Sequence, residues 1–275
     1  RGKGDQGMLK RVVSSVVGLA ILFVVLLADN VMVMRGAVVI ASLMALYELY
    51  HAFGYIQETM LVVLGVLSTL FIVFGQIYDI KFIIPLIFVY VLLLSVAMLK
   101  YHKNIHFSDM ANMVFFAIYI PFFMTTILFV RNMEYGKYLI WMVFGGAWLT
   151  DTCAFFAGKL CGRHKLCPNI SPKKTVEGAI GGVLGTTILF LAYGYALQQL
   201  AGITVHYLHL GVLAVCAGIV SEIGDLTASM IKRELKLKDF GNVMPGHGGI
   251  LDRFDSLLFV APLMYGFLLN FQVFG

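Results

Sequence analysis

The chain has 275 residues, 60% of them hydrophobic and only 13% charged, with 20 Lys and Arg against 15 Asp and Glu. Such a balance excludes a disordered chain, which needs low hydrophobicity and high charge, and a water-soluble enzyme, in which about a quarter of residues are charged. Four Cys in a chain of this size exclude a disulfide scaffold. What remains is an all-α, polytopic integral membrane protein, in keeping with a mean hydropathy of +0.89.

A helix needs about 20 mostly apolar residues to cross the hydrocarbon core. Nine stretches meet that length approximately: 12–28, 31–53, 60–78, 82–99, 109–130, 137–158, 176–199, 207–230 and 250–273. Arg1–Gly7 precedes Met8-Leu-Lys-Arg11 and is expected to be tag-derived, outside the fold. The first stretch is expected to be a retained helix, because no clean Ala-x-Ala-like cleavage site follows it. The rest divides into 8–133, with about five helices, and 134–275, with about four helices. The second part also carries two polar connections, roughly 159–175 and 231–249.

With the N-terminus in the cytoplasm, 16 of the 20 Lys and Arg fall on the cytoplasmic side. Arg35, Lys81, Arg131 and Lys137 fall on the other. Positive charge collects on the cytoplasmic side of membrane proteins. The count therefore predicts nine spans, with the N-terminus in and the C-terminus out. Both long polar connections then face the cytoplasm.

The acids are placed oddly for a membrane protein. Asp151, Glu177, Glu222, Asp225, Asp252 and Asp255 sit in or at the ends of spans on that same side. An ionisable residue within a span costs at least ~2.5–3.5 kcal/mol on insertion scales. In the first five spans only Arg35 and Glu48 are comparable. Glu222 and Asp225 are three apart in a helical pattern and share a face, as do Asp252 and Asp255. Two such carboxylate pairs suit one hard cation. Mg²⁺ takes oxygen ligands, usually one or two carboxylates plus substrate phosphates.

Cationic residues supply the complement. Ser171-Pro-Lys173-Lys174-Thr175 leads into the seventh span and suits a phosphate-clamping turn beside a helix N-terminus. Glu177 in the first turn suits the helix dipole equally well. Lys232, Arg233 and Lys238 border the second connection. Pro245-Gly-His247-Gly-Gly249 joins that connection to Asp252, with glycines that permit close backbone approach to a ligand. Gly178, Gly181, Gly182 and Gly185 are spaced for close helix packing in lipid. Cys161-x-x-His164-x-x-Cys167 is a faint zinc half-site without an obvious fourth ligand. No G-x-x-x-x-G-K-[ST] or G-x-G-x-x-G is present, so any nucleotide is held by another device.

The stretch from Ser229-Met-Ile-Lys-Arg233 through Lys238-Asp239 to Pro245-Gly-His-Gly-Gly-Ile-Leu-Asp-Arg-Phe-Asp255 resembles the signature of the CDP-diacylglycerol synthases, the phosphatidate cytidylyltransferases. Ser171–Thr175 with Glu177-Gly178, Asp151–Gly158, and Gly224-Asp225-Leu226 are similar to further stretches of that family. Met8-Leu-Lys-Arg11 resembles the common bacterial start. The strong likeness covers roughly 148–260. Met244 and Phe155 depart from the family pattern, and Phe155 lacks the Tyr hydroxyl common there.

The resemblance implies a reaction of CTP with phosphatidic acid, giving CDP-diacylglycerol and pyrophosphate, in the bacterial cytoplasmic membrane with the site facing the cytoplasm. It implies a divalent metal, Mg²⁺ or Mn²⁺, on Asp225, Asp252, Asp255 and Glu222, leaving room for a second, monovalent cation. Asp225, Asp252, Asp255, Lys238, His247 and Arg253 are expected to be catalytic. Ser171, Lys173, Lys174, Thr175, Lys232, Arg233 and Asp151 are expected to bind substrate. Partners are then CTP, phosphatidic acid and membrane lipids, with a homodimer allowed. The +5 charge is read as topology plus anionic substrates rather than nucleic acid. Two rivals stay open: a CTP-dependent polyprenol or phytol kinase, which would release CDP, and an ion-coupled transporter, whose class often shows internal repeats.

Overall fold

The computed structural model describes residues 16–28, 30–75, 80–103, 106–243 and 248–275. Arg1–Gly7, Met8–Arg11 and His247, all singled out in the sequence, lie outside the described residues. In chain order the helices are α1 (Val16–Leu27), then α2 (Val31–Ala52), α3 (Thr59–Phe74), α4 (Ile80–Tyr101), α5 (Phe107–Arg131) and α6 (Gly136–Cys161). A hairpin of β1 (Lys165–Cys167) and β2 (Ser171–Thr175) follows, then α7 (Val176–Ala201), α8 (Tyr207–Glu234), α9 (Leu251–Phe254) and α10 (Leu257–Leu268).

Six of these helices, α2 and α4 to α8, are long and apolar enough to cross a membrane. The protein is a multi-pass, predominantly helical membrane protein. Three of the nine expected spans fall short of that length among the described residues. Helices α1 and α3 are apolar but shorter. The stretch 250–273 is broken at Asp255–Ser256 into a four-residue and a 12-residue helix. The expectation of purely helical structure also needs one addition, the antiparallel β1–β2 pair inside the 159–175 connection. Strands this short carry no readable alternation. Helix α4 turns Ile84, Phe88, Leu92 and Leu99 outward, as a helix bathed in lipid does.

The chain forms two compact units. One comprises the described residues up to Thr125 together with Asp239–Asp252, and the other comprises Thr126–Lys238 with Arg253–Gly275. In the first unit, Asn30 caps α2 by accepting from Met32 N at 2.8 Å. Tyr50 donates to Met113 O at 2.9 Å, and the Ser68 hydroxyl lies 3.0 Å from Ala117 O. These bonds tie α2 and α3 to α5 through polar groups that would otherwise be stranded in a dry interior.

The second unit is built on α6, α7, α8 and α10. Helices α6 and α7 approach closely, through the small-residue face that the sequence shows. A Cβ on Gly182 would lie 3.0 Å from both Ala154 Cβ and Thr150 O, and one on Gly185 would lie 2.6 Å from Cys153 Sγ. Backbone cannot retreat as a side chain can. Gly182→Leu is therefore expected to destabilise the protein by ~1–3 kcal/mol or more through overpacking. The melting temperature of the purified protein in detergent checks this, and an unchanged value would contradict the close approach. After α10 the chain returns to the α7–α8 connection, where Thr204 and Gly275 exchange backbone hydrogen bonds of 2.8 and 2.9 Å.

Candidate active site

In the second unit, β2 ends beside the middle of α8. Lys174 Nζ lies 2.5 Å from Glu222 Oε2 and 2.7 Å from Asp225 Oδ2. The two acids are on one face of α8, as their spacing predicts, so a single ammonium bridges them. Gly224 stands between them in sequence, where a Cβ would meet Asp255 O and Ser256 Cα, each at 3.1 Å. Its missing side chain lets α8 lie against the break between α9 and α10. That approach brings Asp255 into electrostatic reach of Asp225. Asp151, on α6, feels Asp225, Lys174 and Glu222. Lys232, buried near the end of α8, faces Asp255. Four carboxylates thus share one locality with two ammoniums. Burial alone would lower the Lys174 pKa, but Asp225 and Glu222 outweigh it and hold the ammonium up to about 12.

The other basic and hydroxyl residues divide by role. Lys173 and Lys238 are exposed, and Ser171 is half-buried at the start of β2. Thr175 is buried and caps α7, its Oγ1 accepting from Gly178 N at 3.1 Å. Its hydroxyl oxygen thus serves the helix start, and its O–H proton is not used by this bond. Arg233 donates from Nε to Ile170 O and from Nη1 to Leu237 O, both at 3.1 Å. The guanidinium braces the hairpin against the end of α8. Arg253 is exposed on α9, and its carbonyl accepts from Trp148 Nε1 at 3.3 Å. Glu177 accepts from Arg163 N at 3.0 Å and His164 Nδ1 at 2.6 Å, fixing the entry to the hairpin. With His164 so engaged, the Cys161–His164–Cys167 half-site gains nothing from the fold.

The first unit holds Asp252. Its Oδ2 accepts from Phe240 N at 2.8 Å and Gly249 N at 3.0 Å. Gly248 makes the turn with φ +87°, in the left-handed region that glycine enters freely. Behind this loop lies Glu48 of α2, only 2% exposed. It accepts from Ile250 N at 2.8 Å and Leu251 N at 2.9 Å. Sequence reasoning marked Glu48 as an oddly placed ionisable group but gave it no partner.

Residues 9–271 match the family model described as "Cytidylyltransferase family". The chain belongs to the cytidylyltransferase family. Among curated relatives it is similar to a phosphatidate cytidylyltransferase of Bacillus subtilis, 38% identical over 183 residues, which cover 66% of each chain. A protein of the same name from Rickettsia bellii is 31% identical over 207 residues, 74% of this chain and 88% of that one. A third, from Staphylococcus aureus, is 43% identical over 136 residues, 50% of this chain and 51% of that one. The matched stretch thus spans about half the length of the last relative and about two thirds of the first.

In this cytidylyltransferase the clustered acids outnumber the ammoniums beside them. Among the described residues, no three His, Cys, Asp or Glu side chains form a ready-made metal centre. Yet Glu222 Oε1 is buried and has no hydrogen-bond partner among the described residues. An orphaned carboxylate oxygen beside Asp225, with a cationic side chain already drawn to the pair, fits a hard cation that completes its shell with water and phosphate oxygens. Zinc, which prefers nitrogen and sulfur ligands, does not fit this donor set.

Proposed function

We propose that the chain transfers the cytidylyl group of CTP to phosphatidic acid, giving CDP-diacylglycerol and pyrophosphate. Family membership across residues 9–271 supports the reaction class. The observation that carries the site is the Lys174–Glu222–Asp225 bridge, set just before the start of α7 and against the middle of α8. A diacyl substrate keeps its tails in the bilayer, so a charged locality reached from the hairpin before α7 lets lipid headgroup and soluble nucleotide meet. The excess of Lys and Arg on the same side supports a cytoplasmic-facing site in the inner membrane, with the N-terminus in and the C-terminus out.

In the proposed mechanism an oxygen of the phosphatidate monoester attacks the α-phosphorus of CTP in line. The new P–O bond forms as the α–β phosphoanhydride breaks, and its electron pair leaves with pyrophosphate. The monoester's second pKa is near 6, so the nucleophile is largely ionised at neutral pH and needs no strong base. Catalysis then consists mainly of positioning and charge stabilisation. Lys173, Lys232 and Arg253 hold phosphate oxygens. Lys174 exchanges its carboxylates for phosphate as substrate enters. Lys238 and His247 attend the leaving pyrophosphate. Mg²⁺, held by Glu222, Asp225 and Asp255, would supply charge neutralisation on the triphosphate. Asp252, in its own loop, is the remaining acid assigned to the reaction.

The test uses purified protein in lipid nanodiscs with phosphatidate, Mg²⁺ and CTP labelled at either the α- or the γ-phosphorus. The α-label should enter lipid and the γ-label should leave as pyrophosphate. Transfer of the γ-label to a lipid alcohol would make the chain a kinase instead. No CTP turnover, together with ion flux in sealed vesicles, would make it a transporter.

A further inference from the structure

We infer that Glu48 is a positioning residue for the Gly248–Asp252 loop, acting through the backbone rather than on substrate. The inference rests on the cytidylyltransferase reading above. A carboxylate at 2% exposure in an apolar helix is costly unless it is satisfied. Here both oxygens are used: Oε1 accepts from Ile250 N at 2.8 Å and Oε2 from Leu251 N at 2.9 Å. Those amides open the short helix α9, which has no preceding turn to satisfy them. The next residue is Asp252, whose Oδ2 grips Gly249 N and Phe240 N from the other side. The loop is therefore clamped between two carboxylates, one from its own sequence and one from α2.

Two glycines make room for this clamp. A Cβ on Gly241 would lie 2.6 Å from Glu48 Oε1, and one on Gly249 would run into both carboxylate oxygens. Neither glycine has a positive φ, so backbone freedom does not explain them. The space they leave for the Glu48 carboxylate does. A residue in a helix outside the family signature thus sets where the signature's acid is held.

The experiment compares the parent with Glu48→Gln and Gly249→Ala, all in nanodiscs, with turnover expressed per folded molecule. Gln places an NH₂ against a backbone N–H and loses at least one of the two bonds. Gly249→Ala pushes the loop off an intact Glu48. Both should speed hydrogen–deuterium exchange at Ile250 and Leu251. Both should also lower kcat on the order of 10- to 100-fold, as outer-shell substitutions do, with KM for CTP changed far less. A merely structural role would lower the folded yield and leave kcat per folded molecule at the parental value, and that result overturns the inference. So does unchanged exchange at the two amides. If the parent itself makes no CDP-diacylglycerol, the function reading falls and the catalytic consequence of Glu48 falls with it. The exchange measurements still decide the clamp.

Discussion

Asp225→Asn is expected to lower cytidylyl transfer by ~10²–10³-fold, the usual cost of removing one preorganised electrostatic element. Asp225 is bonded to Lys174 at 2.7 Å and lies within reach of Asp151 and Asp255, so three other charges of the second unit's cluster feel it. Asn has nearly the same shape and can still accept from Lys174, so the helices should assemble as before. The measurement is kcat per folded molecule in nanodiscs, with the folded fraction read by size-exclusion chromatography. Near-parental turnover at saturating Mg²⁺ would remove Asp225 from the reaction.

Lys174→Met is expected to act on stability as well as turnover. It leaves Glu222 and Asp225 without their counter-charge, and breaking a buried pair this way costs ~3–5 kcal/mol. Lys174 is 19% exposed and Asp225 24%, which places the loss at the lower end. The triple variant Lys174→Met, Glu222→Gln, Asp225→Asn should recover most of it, because uncompensated charge rather than lost volume is the cause. Chemical denaturation in detergent checks both, and a triple variant no more stable than the single one would contradict the account. The pH sign follows from the raised Lys174 pKa. Its contribution is complete below the ordinary lysine value and is lost only as pH climbs through about 12. Across the neutral range the bridge should hold without change.

Much of this protein was legible in its sequence, and the limits are physical. Long apolar runs announce helices, because only a continuous helix satisfies its own backbone in lipid. The three-residue spacing of Glu222 and Asp225 announces a shared face. Nothing local states which cation meets them, and only the folded chain shows that Lys174 lies between the two carboxylates. Thr175 is expected as a ligand hydroxyl, and a Thr directly before a helix is also a common cap, the use the fold shows. The break at Asp255–Ser256 lies inside an unbroken apolar stretch, and hydropathy cannot show it. Glu48 finds its partners 202 and 203 residues away, a pairing that only the folded chain reveals.

The buried cap at Thr175 has a mechanical consequence for the residue before it. Because Thr175 is pinned to the start of α7 and crowded by Gly158 and Gly178, the backbone under Lys174 has little freedom to travel. The ammonium is an arm on a fixed pivot. Whatever anion draws it from Glu222 and Asp225 does so by rotating a side chain rather than by moving a hairpin. Charge in the second unit's cluster is therefore re-dealt by a single swinging side chain about a backbone that stays in place.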